Sequence, residues 1–165
     1  MSNLPKIMKS TATVRFQDCD PFNHLNNSKY IDYMVNARED QIMEHYGLNI
    51  YQYAQETGMS WVVGSNQIAY LKPALLMEKV LIESQLLSYS EKELRVEVRM
   101  LNTDGTQLKA LMWISFIAFN IATARIAEHE DRMMQLFEAV VHPIDNISNF
   151  ESRIAQIRAS QKKIK

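Results

Sequence analysis

The order of the predicted elements, a long helix and then four strands in succession, is the feature that most limits how this chain can fold. Asn26 and Asn27 are good N-cap residues, and Gly47 stands where a helix commonly ends. Between them the spacing of apolar residues predicts a helix over about residues 27–46, roughly five turns long. Its apolar face is wide, so we expect the helix to be largely enclosed. The apolar positions are Tyr30, Ile31, Met34, Val35, Ala37, Ile42, Met43 and Tyr46.

Five segments have the alternation or the composition of β-strands, and Asp104-Gly105 is a hairpin signal. A long helix followed by consecutive antiparallel strands is an α+β pattern. We therefore expect a curved five-stranded antiparallel sheet wrapped around the one long helix. The predicted strands are Thr11–Phe16 before the helix and Met59–Leu71, Lys79–Ser88, Leu94–Met100 and Leu108–Ile121 after it.

The last of these segments, Leu108–Ile121, is nearly all apolar, which predicts a central strand that is buried on both faces. One helix covers only one face of a sheet. The surplus apolar surface therefore predicts self-association of the chain.

The C-terminal part of the chain has helical patterns over residues 130–140 and 147–164. We expect residues 1–142 to form one domain and residues 143–165 to be a C-terminal helical extension of it. The extension ends in Lys162, Lys163 and Lys165, which we interpret as a solvated basic helix end.

Charge and composition exclude several partner classes. The net charge is −1, so nothing global favours nucleic acid or an anionic membrane. The longest nearly apolar run, Ala110–Phe119, is too short for a membrane helix, and the N-terminus lacks the apolar region of a signal peptide. A single cysteine excludes an internal disulfide and fits a reducing compartment. We expect a cytoplasmic protein.

A polar stretch, DCDPFNHLNNSKY at residues 18–30, lies where the first strand gives way to the long helix. A helix N-terminus offers unpaired backbone N–H groups that can bind a carbonyl oxygen on which negative charge develops. Asp20 opposite such groups could attack a carbonyl or activate a water, and His24 could assist with protons. The same residues are also good turn and cap residues, so a purely structural interpretation remains open.

The sequence gives less support to a cysteine nucleophile, a metal site, a serine hydrolase site or a nucleotide-binding site. No helix N-terminus or base is placed to activate Cys19, and no zinc-type spacing accompanies the acids, so we expect no metal. The chain has neither a G-x-S-x-G motif nor a glycine-rich phosphate loop, which weighs against a serine hydrolase and a nucleotide cofactor.

The pattern Asp20-x-x-x-His24-x-Asn26-Asn27-x-x-Tyr30 at the start of a long helix resembles the hotdog-fold thioesterases. Within them it is most similar to the 4-hydroxybenzoyl-CoA thioesterase and acyl-CoA thioesterase family. The segment NQIAYLKP at residues 66–73 also looks like the second strand of that family, so the resemblance covers roughly residues 10–140.

The resemblance implies hydrolysis of an acyl-CoA or acyl-carrier thioester, by a homodimer or homotetramer and without a cofactor other than the coenzyme A of the substrate. It implies that Asp20 is the nucleophile or general base, and that a backbone N–H at Asn27 is the oxyanion donor. His24 and Asn26 match the polar turn of the family. Tyr30 matches an aromatic residue that lines the acyl tunnel, with a core-facing position as the alternative. Coenzyme A carries phosphates, so basic residues are expected at the rim of the site, and the candidates are Lys29, Lys72 and Arg125.

Two other functions share the implied fold. One is a hydratase or dehydratase on acyl thioesters, although the spacing from Asp20 to His24 is one residue shorter than in the hydratase pattern. The other is a non-catalytic acyl-CoA binding protein. Phe22 also stands where the plant acyl-carrier thioesterases have an asparagine, so their full catalytic set does not transfer to this chain.

Overall fold

The structure is a computed structural model that describes residues 3–162 of the chain. Within this range the chain forms six β-strands, four α-helices and a short 3-10 turn at Phe16–Asp18. In chain order the elements are β1 (Ile7–Thr13), α1 (Asn27–Tyr46), α2 (Ile50–Thr57), β2 (Met59–Tyr70), β3 (Lys79–Tyr89), β4 (Glu93–Asn102), β5 (Leu108–Asn120), β6 (Arg125–Ile126), α3 (Asp131–Val140) and α4 (Phe150–Lys162).

The sheet is antiparallel, with the strand order β1-β3-β4-β5-β2, and the two-residue β6 pairs with the end of β5. It curls around α1, which confirms the predicted α+β architecture. The all-apolar segment forms β5, an interior strand that is buried along most of its length, as predicted, although β4 occupies the middle of the order. β2 has a strand neighbour on one side only.

Helix α1 has the predicted bounds, and its capping explains both ends. The Asn26 side chain accepts a hydrogen bond from the Ser28 N–H at 3.0 Å, and Gly47 adopts a left-handed conformation with φ of 65°. Along its length, Tyr30 and Met34 are 2% and 0% exposed. They pack against the concave face of the sheet in the main apolar core, but the opposite face of α1 is exposed and Met43 is 50% exposed, so the helix is less enclosed than predicted.

The first strand was predicted too late in the chain. β1 begins four residues earlier than expected and ends at Thr13, and the Phe16 side chain is 78% exposed rather than buried. The predicted inward face was right for Ala12 and Val14, but the alternation continues backwards to the buried Met8. Because the backbone of Val14 bonds to the loop that precedes β3, the strand pairing ends there and a 3-10 turn follows.

The convex face of the sheet is covered by α4 and the segment before it. Apolar side chains of this face form a second cluster with Phe150, Ile154 and Ile157. The surplus apolar surface of β5 is thus buried by the chain itself, so it no longer argues for self-association. The predicted C-terminal helix is confirmed, although it begins at Phe150, and Lys163 and Lys165 lie outside the described residues.

A buried ion network fastens α4 to the sheet. The Glu97 carboxylate is fully buried and accepts two hydrogen bonds from the Arg153 guanidinium, at 2.7 and 2.8 Å. Arg99 and the Trp113 indole N–H also donate to it. Burial alone would raise the pKa of Glu97, but Arg153 and Arg99 hold that pKa below its ordinary value.

None of the helices in residues 3–162 combines the length and the apolar character that crossing a membrane requires.

Candidate active site

The Asp20 carboxylate is held in a tight turn directly before α1. Its Oδ1 accepts hydrogen bonds from the backbone N–H groups of Phe22, at 2.9 Å, and His24, at 3.0 Å. The Asp20 N–H donates in turn to the His24 carbonyl at 2.8 Å. Two bonds to one oxygen fix the orientation of the side chain, while Oδ2 makes no hydrogen bond to any residue that the structure describes. The turn therefore presents a carboxylate oxygen that can act on a substrate.

This turn is fastened to the loop between β2 and β3. The Leu25 N–H donates to the Ala74 carbonyl at 2.8 Å, and the Leu76 N–H donates to the Asn23 carbonyl at 2.9 Å. Asn23 adopts a left-handed conformation with φ of 60°, which asparagine tolerates better than most residues. The polar stretch is thus a rigid turn as well as a carrier of reactive groups.

The N-terminus of α1 supplies an unused donor beside this turn. The Asn26 side chain accepts from both the N–H and the hydroxyl of Ser28, and the Asn26 carbonyl accepts from the Lys29 N–H. Within residues 3–162 the Asn27 N–H makes no hydrogen bond. As the first N–H of a five-turn helix, it lies at the positive end of the helix dipole and can bind a developing oxyanion.

The structure brings the remaining predicted site residues to this region in different ways. Asn26 is the helix cap, so its side-chain oxygen is already engaged. His24 is partly buried, and its backbone rather than its ring bonds to the Asp20 carboxylate. Tyr30 is 2% exposed, and its hydroxyl accepts from the Ala74 N–H at 3.0 Å, which is the core-facing alternative. The catalytic and binding roles of these residues stay predictions.

Tyr70 is a neighbour of the site that the sequence pattern did not single out. Its hydroxyl donates to the Asn27 carbonyl at 3.0 Å, and its ring packs edge-on against Tyr30. The end of β2 therefore meets the first turn of α1. Lys72 follows two residues later with an exposed side chain, and its binding role stays a prediction. The one sequence signal for Tyr70 is its position near the end of the predicted strand, close to the loop that follows it.

Asp18 and Cys19 have structural partners. The Tyr33 hydroxyl donates to the Asp18 carboxylate at 2.7 Å and accepts from the Arg15 N–H at 3.1 Å. The Cys19 thiol contacts the Arg15 carbonyl at 3.4 Å, and burial together with the charges of Asp20 and Asp18 raises its pKa. A raised pKa disfavours the thiolate, so these contacts do not make Cys19 a nucleophile.

Exposed apolar side chains surround the turn. Phe16 and Phe22 are each 78% exposed, and Leu75 and Met77, in the loop bonded to the turn, are 47% and 63% exposed. Isolated side chains of this kind are common, but four of them around one polar turn form an apolar rim.

Comparison with known proteins agrees with this geometry. A sequence model for a family described as the thioesterase-like superfamily matches residues 14–137, three quarters of the chain. The long-chain acyl-CoA thioesterase FadM of Escherichia coli is 26% identical over 135 residues, which are 81% of this chain and 99% of FadM.

Two solved structures show the same fold. The probable thioesterase YbaW from Escherichia coli has a TM-score of 0.69 at 24% identity and covers 82% of this chain and 99% of its own. The protein SAV2348 from Staphylococcus aureus, determined in complex with CoA, has a TM-score of 0.77 at 16% identity and covers 92% of this chain and 94% of its own. The hotdog fold that the resemblance implied is therefore confirmed.

Proposed function

The chain belongs to the thioesterase-like superfamily and is a thioester hydrolase, and we propose that it hydrolyses an acyl-CoA, or an acyl-carrier thioester, to the free acid and the thiol. The observation that supports this proposal is that a carboxylate with a fixed orientation, Asp20, stands seven residues before an unused backbone N–H, that of Asn27 at the start of α1. A fixed nucleophile or base beside an oxyanion donor is what acyl transfer needs. The relative FadM, named as a long-chain acyl-CoA thioesterase, supports the substrate class.

In the proposed reaction the thioester carbonyl oxygen accepts a hydrogen bond from the Asn27 N–H. Oδ2 of Asp20 either attacks the carbonyl carbon or takes a proton from the water that attacks it. In both routes the C–S bond breaks and the sulfur leaves as a thiolate that is then protonated. In the first route water hydrolyses the acyl-aspartyl anhydride. Both routes yield one acid and one thiol, and neither requires a cofactor.

We further propose that the working form is a homodimer, or a tetramer built from dimers, with the unpaired edge of β2 in the subunit contact. This edge is 12 residues long, and Val62 and Val63 on it are 43% and 50% exposed. A long exposed edge favours pairing with a second strand. The apolar rim around the Asp20 turn would then be covered by the second copy. A stable and active monomer at working concentration would contradict this arrangement.

Electrostatics adds a proposed contact for the CoA phosphates. Lys72 is exposed two residues after Tyr70, and Lys29 lies in the first turn of α1, where it pairs weakly with Asp32 at 3.4 Å. We propose that these two lysines bind the phosphate groups of CoA. A cytoplasmic location also remains a proposal.

The deciding experiment is thiol release from a panel of acyl-CoAs by the wild type, Asp20→Asn and Asp32→Asn. The asparagine oxygen can still accept both turn hydrogen bonds, so Asp20→Asn should fold normally but lose activity. Asp32→Asn removes an exposed carboxylate from the same end of α1 and should stay active. Equal activity of all three proteins would overturn the assignment of Asp20. If the wild type alters acyl chains without releasing thiol, or only binds them, the function is a lyase or a binding protein instead.

A further inference from the structure

A cavity of about 290 Å³ lies between the sheet and the C-terminal half of α1, away from the Asp20 turn. Its walls are mostly apolar and consist of side chains from β2, β3, β4 and β5 and from α1, α2 and α3. Arg38 lies 11 residues after Asn27 in α1, so about 16 Å along the helix separates it from the proposed oxyanion donor. The volume is near the lower end for small-molecule sites and suits an acyl-sized molecule rather than a nucleotide.

The cavity contains a guanidinium group without an ion-pair partner. Arg38 lines the wall, and its single hydrogen bond within residues 3–162 goes from Nη1 to the Ser84 hydroxyl at 3.0 Å. No carboxylate of the described residues lies within salt-bridge distance of Arg38, although the neighbouring Glu39 also lines the cavity. Burial lowers the pKa of Arg38 to about 10, while nearby Tyr46 acts in the opposite direction. The group therefore remains charged at neutral pH in apolar surroundings.

The remaining guanidinium nitrogens of Arg38 are accessible. Among the described residues no buried side-chain nitrogen or oxygen lacks a hydrogen-bond partner, so the nitrogens of Arg38 that make no bond keep accessible surface. That surface belongs to a residue of the cavity wall. A guanidinium presents its donors in a planar fork that suits a carboxylate.

Hydrogen bonds hold the groups at the cavity in place. Ser84, which accepts from Arg38, donates to the fully buried Gln41, and Gln41 donates to the Ile82 carbonyl at 3.0 Å. On the opposite wall the Trp61 indole N–H donates to Nε2 of His129 at 2.9 Å. Neither network contains an ion pair with Arg38, so these contacts do not neutralise its charge.

We propose that this cavity binds a molecule with an apolar body and a carboxylate, with the carboxylate on Arg38. Two sources have this chemistry: the acyl group of a substrate that ends in a second carboxylate, or a free carboxylic acid such as a fatty acid. The first source rests on the proposed hydrolase function, and the second does not. Either one would pair the guanidinium with an opposite charge in a site of low dielectric, where such a pair is stronger than in water.

The test compares the wild type with Arg38→Met, which keeps the aliphatic stem, and Arg38→Lys, which keeps the charge. Calorimetric titration with decanoate and with the neutral alcohol decanol measures the free-acid source. Thiol release from decanoyl-CoA and from its counterpart with a terminal carboxylate measures the substrate source. Thermal unfolding of the two variants checks that each is folded.

In the wild type we expect decanoate to bind about 10- to 100-fold more tightly than decanol, or the substrate with a terminal carboxylate to have a kcat/KM about 10- to 100-fold higher than that of decanoyl-CoA. Arg38→Met should abolish that preference and Arg38→Lys should retain part of it. A preference in calorimetry alone identifies a free acid, and one in kcat/KM alone identifies the substrate. If the wild type prefers the carboxylate in neither assay, or Arg38→Met keeps the preference, the proposal is wrong. Calorimetry gives its answer even if no acyl-CoA is hydrolysed, so the two proposals fail separately.

Discussion

Replacing Asn27 by proline should remove the proposed oxyanion donor without breaking the helix that carries it. Asn27 is the first residue of α1, the position at which proline is most common in helices, because its N–H has no partner within the helix. The preceding residue, Asn26, has φ of −62° and ψ of 136°, which is the conformation that a residue before proline prefers. The carbonyl of residue 27 remains available to the Tyr70 hydroxyl.

The expected loss follows from the number of donors removed. Deleting one oxyanion donor typically lowers kcat by about 10²–10³-fold, or about 2.7–4 kcal/mol of transition-state stabilisation. Asn27→Ala is the matched control, because it removes the same side chain but keeps the N–H, and it should stay close to the wild type. The assay is thiol release from acyl-CoA, with circular dichroism and thermal unfolding to confirm that both variants are folded.

Two results would refute the role of this N–H. If Asn27→Pro is folded and its kcat lies within about threefold of that of Asn27→Ala, the oxyanion is bound elsewhere. If Asn27→Pro raises KM and leaves kcat unchanged, the proline ring obstructs substrate binding and the N–H has no special part in the transition state.

Four further predictions concern stability and the lone cysteine. Arg153→Met should lower the free energy of unfolding by about 3 kcal/mol in denaturant titration, because it breaks a buried ion pair, whereas the exposed Arg158→Met should change it by less than about 0.5 kcal/mol. Folding lowers the pKa of Glu97, so the ionised carboxylate stabilises the folded state fully above its ordinary pKa, and this stabilisation is lost as the pH falls through the pKa of the folded state. The free energy of unfolding of Arg153→Met should therefore decrease less in acid than that of the wild type. Burial lowers the pKa of His129 below its ordinary 6.5, so the unfolded chain binds the proton more strongly and stability should fall as the pH drops below about 6.5; His129→Gln should flatten that slope in thermal unfolding. Cys19→Ser should leave thiol release unchanged, and a large loss would restore the cysteine as a candidate nucleophile.

Local signals were sufficient for the elements that begin and end at distinctive residues. The asparagine caps and Gly47 located both ends of α1, because side-chain capping and a left-handed glycine are decided within a few residues. The start of β1 was missed, because Lys9 and Ser10 give no apolar alternation to read. The pairing that extends the strand backwards, such as Ser10 opposite Ile82, involves residues more than seventy positions away.

The site was predicted in the same uneven way. The sequence predicted a turn at Asp20 directly before the helix, and the structure has that turn, because its hydrogen bonds join residues that are close in the chain. Tyr70 and the pocket around Arg38 depend on contacts between distant segments, which no local pattern reports. In the helical pattern Arg38 is simply a polar residue, and only the fold shows that no carboxylate of residues 3–162 lies within salt-bridge distance of it.

The apolar composition of β5 predicted that the convex face of the sheet is covered, but it did not predict which segment covers it. An apolar strand such as β5 requires a cover on both faces, and either a second copy or a helix of the same chain can supply it. In this chain α4 covers the convex face. The sequence feature that indicated this cover was a charge: strand alternation places Glu97 on the same face as the apolar cluster, where a buried carboxylate requires a cation. Arg153 of α4 supplies that cation, which fixes the helix in one position on the sheet. This cover lies beyond residue 137, where the match to the family model ends. The proposed association between copies is therefore expected to use surfaces that α4 does not cover, such as the unpaired edge of β2, whose Tyr70 contacts the start of α1.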